Sequence, residues 1–182
     1  MNISFAGLHG TGKSTIARKL AEHFGFEFYS TGMAFRALAK ENGMDLEEFS
    51  RYAENRPEID KKLDAKILNL AQTDTNYIFE GQLPTFMLGD YRDFSILLTC
   101  EDNLRLSRMA VRDGRSVEDQ RQETLVREES ERQRFIELYD IDVLDPHTIL
   151  QTFDLILDTT HLSIETVFNV CLHALEEIIK LK

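Results

Sequence analysis

The sequence feature that most constrains this chain is the stretch GLHGTGKST at residues 7–15, which directly follows an apolar run at residues 3–6. It fits the pattern G-x-x-x-x-G-K-[ST], in which backbone N–H groups of a glycine-rich loop converge on the phosphates of a nucleotide. A predicted strand precedes the loop and a predicted helix at 14–24 follows it, which is the context that the pattern requires. The sequence therefore predicts a nucleoside triphosphate site at the start of this helix.

Each position of this phosphate loop has an expected contribution. The glycines let the backbone turn tightly, Lys13 is expected to bridge the β- and γ-phosphates, and the Ser14 hydroxyl is expected to ligate Mg²⁺. The residues predicted to surround the ATP phosphates are Gly7, Leu8, His9, Gly10, Thr11, Gly12, Lys13, Ser14 and Thr15.

Strand and helix patterns alternate along the rest of the chain. Strands are predicted at 3–6, 26–29, 77–79, 96–98 and 155–157, and helices at 14–24, 31–42, 45–53, 57–71, 103–112, 116–139 and 163–179. This alternation predicts a three-layer α/β/α P-loop NTPase fold with a five-stranded parallel sheet, forming a single domain over residues 1–182. The polar helical segments at about 31–72 and 104–139 are longer than crossovers need, and we expect them to be mobile.

The charged residues are unevenly distributed. Eight of the thirteen arginines lie between residues 105 and 134, where they alternate with nearly as many acidic residues and no lysine. This pattern is typical of a salt-bridged helical segment in which some guanidinium groups are reserved for phosphate. The net charge of −11 argues against a general nucleic-acid binder.

Features that would place the chain in or across a membrane do not occur in the sequence. No apolar run approaches the 18 or so residues of a membrane helix, and no basic-then-apolar signal segment opens the chain. Cys100 and Cys171 lie far apart within apolar segments, so we expect reduced, buried thiols. We expect a cytoplasmic monomer whose partners are small nucleotides, not nucleic acids or membranes.

Several segments resemble one family. STGMAFR at residues 30–36 resembles the [DS]-[ST]-G-x-x-[FY]-R motif of cytidylate kinases. Residues 43–64 resemble the acceptor-binding helices of the short, archaeal-type cytidylate kinases, and residues 108–119 and 127–142 resemble their arginine-rich lid. The likeness spans nearly the whole chain in the right order. It implies the nucleoside-monophosphate-kinase fold, ATP and Mg²⁺ as the donor, and cytidine or deoxycytidine monophosphate as the acceptor.

The resemblance also implies roles for individual residues. Ser30 and Arg36 would lie at the acceptor, and Glu80, at the end of the third strand, would orient Mg²⁺ through water. Arg108 and Arg112 share a helix face and are expected to be catalytic, since two guanidinium forks on one face can clasp a polyphosphate. The remaining acceptor-binding candidates are Gln82, Arg127 and Arg134. For Arg127 and Arg134 a solvent-facing role is an equal alternative, and Glu131 is a candidate partner of Arg127.

Two positions depart from the family pattern. Gln82 stands where the family normally has an arginine that contacts the acceptor phosphate, and Met33 stands where many relatives have aspartate. Either a neighbour such as Arg92 compensates for Gln82, or the acceptor differs. The alternatives are a kinase for another nucleoside monophosphate or small metabolite, or a nucleotide-dependent assembly factor with slow ATPase activity. A signalling GTPase is disfavoured because the sequence has no N-K-x-D motif.

Overall fold

Strands and helices alternate along residues 1–181, the part of the chain that the computed structural model describes. The strands are β1 (Asn2–Ala6), β2 (Glu27–Ser30), β3 (Tyr77–Glu80), β4 (Phe94–Thr99) and β5 (Leu155–Asp158). The helices are α1 (Lys13–Phe24), α2 (Thr31–Glu41), α3 (Leu46–Glu54), α4 (Pro57–Ala71), α5 (Pro84–Leu88), α6 (Asp102–Asp113), α7 (Val117–Tyr139), α8 (Pro146–Thr152) and α9 (Ile164–Lys180), with a 3₁₀ turn at Gly89–Tyr91.

The five strands form one parallel sheet in the order β2-β3-β1-β4-β5. The central strand β1 pairs with β3 on one side and with β4 on the other, with Phe5 opposite Glu80 and opposite Ile96. Because β1 is central, the loop that follows it emerges at the middle of the sheet's carboxyl edge. The strand order changes direction at β1, and this is the edge where open α/β sheets bind ligands.

Helices cover both faces of the sheet, and successive strand residues point to opposite faces. Ile78 belongs to a buried cluster with side chains of α1 and α9, whereas the next residue, Phe79, packs with Ile67 of α4 and Leu88 of α5. A separate apolar cluster joins α2, α3 and α4 around Phe35 and Phe49. Helices α2, α3 and α4 therefore have a small core of their own beside the main one.

The structure confirms the predicted three-layer fold and all five predicted strands, with end points that differ by one or two residues. Two short helices and the 3₁₀ turn were missed. Helices α5 and α8 span only five and seven residues, too few to show helical periodicity. Each has a proline at the first helical position, and α8 also has the N-cap Asp145, whose side chain accepts the Thr148 N–H.

The two cysteines are free thiols. Cys171 is buried, and burial raises the pKa of its thiol to about 12. Cys100 is only half-buried, so the expectation of a buried thiol is correct for Cys171 alone. Every helix within residues 1–181 is too short or too polar to span a membrane.

Candidate active site

A cavity of about 980 Å³ opens at the carboxyl edge of the sheet. Residues of the phosphate loop and of α2, α3 and α4 line it, together with residues of α6, α7 and the segment after β5. The two polar helical segments singled out in the sequence therefore both line this cavity.

The phosphate loop has the backbone conformation that its glycines permit. Gly10 and Gly12 have φ values of 83° and 92°, and a Cβ atom on Gly10 would lie 2.6 Å from the carbonyl oxygen of Arg105. Within residues 1–181, the amide N–H groups of residues 10–14 have no hydrogen-bond acceptor. These donors at the start of α1 form a ready anion site.

Lys13 lies at the floor of the cavity with only 7% of its surface exposed. Its Nζ atom is 3.3 Å from the carbonyl oxygen of Leu8 and 3.6 Å from Oε1 of Glu80. A buried ammonium group with a single long ion pair retains most of its capacity to bind phosphate oxygens.

Glu80 is nearly buried at the end of β3, where its Oε2 atom accepts a hydrogen bond of 2.5 Å from the Ser30 hydroxyl. The Ser30 oxygen also accepts the Met33 N–H and so caps α2. The exposed Ser14 hydroxyl has no hydrogen bond within the described part of the chain. One carboxylate and one hydroxyl beside a phosphate site match the donor set that Mg²⁺ prefers. No group of three or more His, Cys, Asp or Glu side chains in residues 1–181 could form a full protein cage for a metal.

Three guanidinium groups from three helices face one region of the cavity. Burial, followed by the positive charges of Arg127 and Arg112, lowers the pKa of Arg36. Arg36 makes no hydrogen bond or ion pair with any other residue of 1–181. Arg112 is held in a two-pronged contact by Asp113, at 2.7 Å for both hydrogen bonds. Because Arg112 and Arg127 each have a carboxylate partner, Arg36 is the guanidinium group of these three whose charge is left for a bound anion.

Glu131 joins the phosphate loop to α7. It accepts hydrogen bonds from the His9 ring at 2.9 Å, from Arg127 Nε at 2.8 Å and from the side-chain amide of Gln82. Burial alone would raise the pKa of Glu131, but His9, Arg127 and Arg134 together lower it below its usual range. The carboxylate is therefore a fixed negative charge among these donors.

A buried ion pair between α6 and α7 makes a second contact with the phosphate loop. The sequence did not reveal this pair. Arg105, only 1% exposed, donates to both oxygens of Glu128 at 2.8 and 2.9 Å and to the carbonyl oxygen of His9 at 3.0 Å. Glu128 also accepts the His9 backbone N–H at 3.0 Å. In the sequence, Arg105 was one of eight arginines and nothing distinguished it. The pairing depends on a tertiary contact between α6 and α7.

The other predicted residues are placed as follows. Arg108 lies over the ends of β4 and β5, 3.3 Å from both Cys100 Sγ and the carbonyl oxygen of Thr159. Arg134 is buried and donates to Asp60 at 3.1 Å, which ties α7 to α4.

Arg92 precedes the amino end of β4, outside the cavity wall, and donates to the carbonyl oxygen of Thr85. Compensation for Gln82 by Arg92 is therefore wrong on geometric grounds.

The chain is similar to known proteins over nearly its full length. A family model described as an AAA domain matches residues 3–135. A cytidylate kinase of Pyrobaculum aerophilum is 39% identical over 170 residues, which cover 93% of this chain and 90% of that protein. A cytidylate kinase of Pyrococcus furiosus is 39% identical over 176 residues, with coverage of 97% and 88%.

Solved structures support the fold alone. A shikimate kinase from Bacteroides thetaiotaomicron superimposes with a TM-score of 0.61 at 11% identity, covering 99% of this chain and 98% of that one. At this identity the likeness concerns the arrangement of the sheet and its covering helices. It says nothing about the acceptor.

Proposed function

This chain belongs to the archaeal-type cytidylate kinase family, and from that premise we propose how it carries out the reaction. It is a nucleoside monophosphate kinase that transfers a phosphoryl group from ATP to (deoxy)cytidine monophosphate, giving ADP and the diphosphate. The finer assignments below concern Mg²⁺ and the roles of individual side chains.

The observation that carries the proposal is the set of cationic groups that line the cavity. Unpaired backbone amides and Lys13, guanidinium groups from α2, α6 and α7, and apolar side chains all line the same cavity. Two phosphorylated nucleotides bound there would bring their phosphates together beside these cations. Phosphoryl transfer needs positive charge there, because negative charge accumulates on the equatorial oxygens.

On the donor side, the phosphate-loop amides and Lys13 bind the β- and γ-phosphates of ATP. Ser14 would ligate Mg²⁺ directly and Glu80 would hold it through water, and the metal would offset phosphate charge. Glu80 is already fixed by the Ser30 hydroxyl, so its carboxylate needs little reorganisation. Ser30 then acts on the acceptor side chiefly by capping α2, the helix that carries Arg36.

On the acceptor side, Arg36 and Arg127 bind the monophosphate. Arg36 has no carboxylate partner to release before it binds the phosphate. Arg127 would share its guanidinium between Glu131 and the phosphate. Gln82 adds a neutral donor whose direction is set by Glu131. A single neutral substitution among several cations weakens acceptor binding without removing the site.

The transfer itself requires no covalent enzyme intermediate. Donor and acceptor are aligned, and the cations of α6, Arg108 and Arg112, meet charge that develops in the transition state. Closure of the segment 104–139 over the phosphates would exclude water that otherwise hydrolyses ATP. The contacts of Glu128 and Glu131 with His9 support this role, because they bring α7 directly onto the phosphate loop.

The test is a coupled assay of ADP release with ATP, Mg²⁺ and each nucleoside monophosphate in turn. We expect the highest kcat/KM with cytidine or deoxycytidine monophosphate. Lys13→Ala should abolish transfer while far-UV circular dichroism shows a folded protein. Release of ADP that does not depend on any acceptor would favour a nucleotide-dependent assembly factor. A preference for a different phosphorylated metabolite would contradict the cytidylate assignment.

A further inference from the structure

The His9 side chain links the phosphate loop to the residues on the acceptor side of the cavity. Its Nε2 atom lies 2.9 Å from Glu131, the carboxylate that also accepts hydrogen bonds from Gln82 and Arg127. Gln82 and Arg127 are the residues proposed above to bind the acceptor phosphate. The residue after His9 is Gly10, the first of the unpaired amides proposed to bind the donor phosphates. The imidazole ring therefore lies between the two groups that exchange a phosphoryl group.

The backbone that carries this ring is held on both sides. Glu128 accepts the His9 N–H at 3.0 Å, and Arg105 donates to the His9 carbonyl oxygen at 3.0 Å. Arg105 and Glu128 are themselves paired, with side chains 1% and 9% exposed. A ring fixed in this way has little conformational entropy left to lose when it binds a ligand.

The contact with Glu131 decides which nitrogen of a neutral His9 ring carries the hydrogen. The pKa of Glu131 lies below its usual range, so its carboxylate accepts hydrogen bonds and cannot donate them. The Nε2 atom must therefore carry the hydrogen, which leaves Nδ1 with a lone pair. Nδ1 makes no hydrogen bond with residues 1–181, and the side chain, on the cavity wall, is 19% exposed. Only a second proton, which brings a positive charge, turns Nδ1 into a donor.

We propose that His9 is a catalytic residue, whose Nδ1–H in the imidazolium form donates a hydrogen bond to the phosphoryl group as it passes from ATP to the acceptor. The inference rests on the proposed function. No proton is transferred, and the charged ring meets the negative charge that accumulates on the equatorial oxygens. A neutral ring would present a lone pair to the same oxygens and repel them. The phosphate loop itself would thus supply positive charge beside the neutral Gln82.

This role makes the transfer step depend on pH in a defined direction. Imidazole side chains change their charge between about pH 5 and pH 8. The charged groups around the ring and its backbone lie in the phosphate loop, α6 and α7, and they are Lys13, Arg105, Arg127, Glu128 and Glu131. Guanidinium groups stay protonated over this range and Glu131 stays ionised. As the pH rises, His9 loses its positive charge, and the rate of transfer should fall.

The experiment measures the rate of phosphoryl transfer from ATP to cytidine monophosphate in a single turnover, between pH 6 and pH 9. A single turnover excludes product release from the measured rate. In His9→Gln, the side-chain amide keeps a donor for Glu131, whereas the Nδ1 donor and the charge are lost. We expect His9→Gln to be about tenfold slower than wild type at pH 6 and within about twofold of it at pH 9. Titration of the nucleotide phosphates affects both proteins and cancels in this comparison.

Two further variants separate catalysis by His9 from a structural role. Gln82→Arg places beside the ring a guanidinium that keeps its charge, so the fall in rate between pH 6 and pH 9 should become smaller. His173→Gln is the matched control, because His173 is an exposed histidine that also pairs with a glutamate, Glu176, outside the cavity. Its rate and pH dependence should equal those of wild type.

The outcomes that overturn the inference differ from failure of the proposed function. His9→Gln with the wild-type rate at pH 6, or with a deficit that does not change with pH, contradicts catalysis by His9. A raised KM for cytidine monophosphate with an unchanged transfer rate contradicts it too. If His9→Gln does not fold, a pH-independent wild-type rate or an unaltered pH dependence in Gln82→Arg still overturns it. A wild-type protein inactive on every nucleoside monophosphate contradicts the proposed function and this inference with it.

Discussion

Asp64→Asn is expected to stabilise the folded chain at neutral pH. Asp64 is nearly buried without a cation beside it, and its pKa rises from an ordinary 3.8 to about 6. Each pKa unit corresponds to about 1.4 kcal/mol, so ionised Asp64 lowers the free energy of unfolding by about 3 kcal/mol. Asparagine carries no charge and retains a carbonyl oxygen for the Tyr139 hydroxyl.

The sign of the pH dependence follows from the protonation of Asp64. Between about pH 4 and pH 6 the folded chain binds this proton more tightly than the unfolded chain, so wild-type stability falls as the pH rises through this range. Below it, Asp64 is neutral in both states and the penalty vanishes. The stability difference between variant and wild type should therefore grow by about 3 kcal/mol from acidic to neutral pH, in favour of the variant.

Urea unfolding followed by far-UV circular dichroism measures this difference, since the chain has no tryptophan for fluorescence. With a slope of about 2 kcal/mol per molar urea, the separation between the two midpoints should widen by about 1.5 M between pH 4 and pH 7. The exposed Asp74→Asn variant provides the baseline for loss of one negative charge. A separation that stays constant with pH, or that narrows as the pH rises, would refute the reasoning.

The remaining predictions concern phosphate binding. Arg36→Ala should mainly raise the acceptor KM and leave ATP affinity nearly unchanged, and a loss of ATP affinity instead would place Arg36 at the donor. Arg108→Ala and Arg112→Ala should each lower kcat by roughly 10²-fold. Unchanged kinetics for both variants would show that neither side chain contributes to catalysis. Gln82→Arg should lower the KM for cytidine monophosphate by roughly tenfold, with a smaller gain at high salt. No gain on any pyrimidine monophosphate would indicate a different acceptor.

The sequence predicted well what depends on local order along the chain. The phosphate loop, the strand positions and the α3 capping box at Asp45 and Glu48 all follow from spacings of a few residues, and the structure confirms them. The position of Glu80 at the carboxyl end of β3 also follows from local order, whereas its closeness to the loop after β1 depends on the pairing of β1 with β3.

Contacts between helices that are distant in sequence could not be predicted from the spacing of residues within each helix. The Arg105–Glu128 pair and the Glu131 contacts depend on how α7 crosses the phosphate loop, which no spacing within α6 or α7 encodes. A signal for the buried pair Asp60 and Asp64 did exist. Asp60 and Asp64 each lie three residues before an apolar member of the predicted α4 face, so both carboxylates share the buried side of that helix. Acidic residues repeated within an apolar stripe indicate a functional pocket, because burying them costs stability.

Helix α7 contributes contacts to both proposed substrate sites. Near its middle, Glu128 and Glu131 hold the phosphate loop through His9, and toward its carboxyl end Arg134 and Tyr139 hold the two aspartates of α4. Any movement of this helix as a rigid body must alter donor and acceptor contacts together. The arrangement therefore favours a reaction in which the phosphates become enclosed only when both sites are filled, which would protect ATP from hydrolysis while the acceptor is absent.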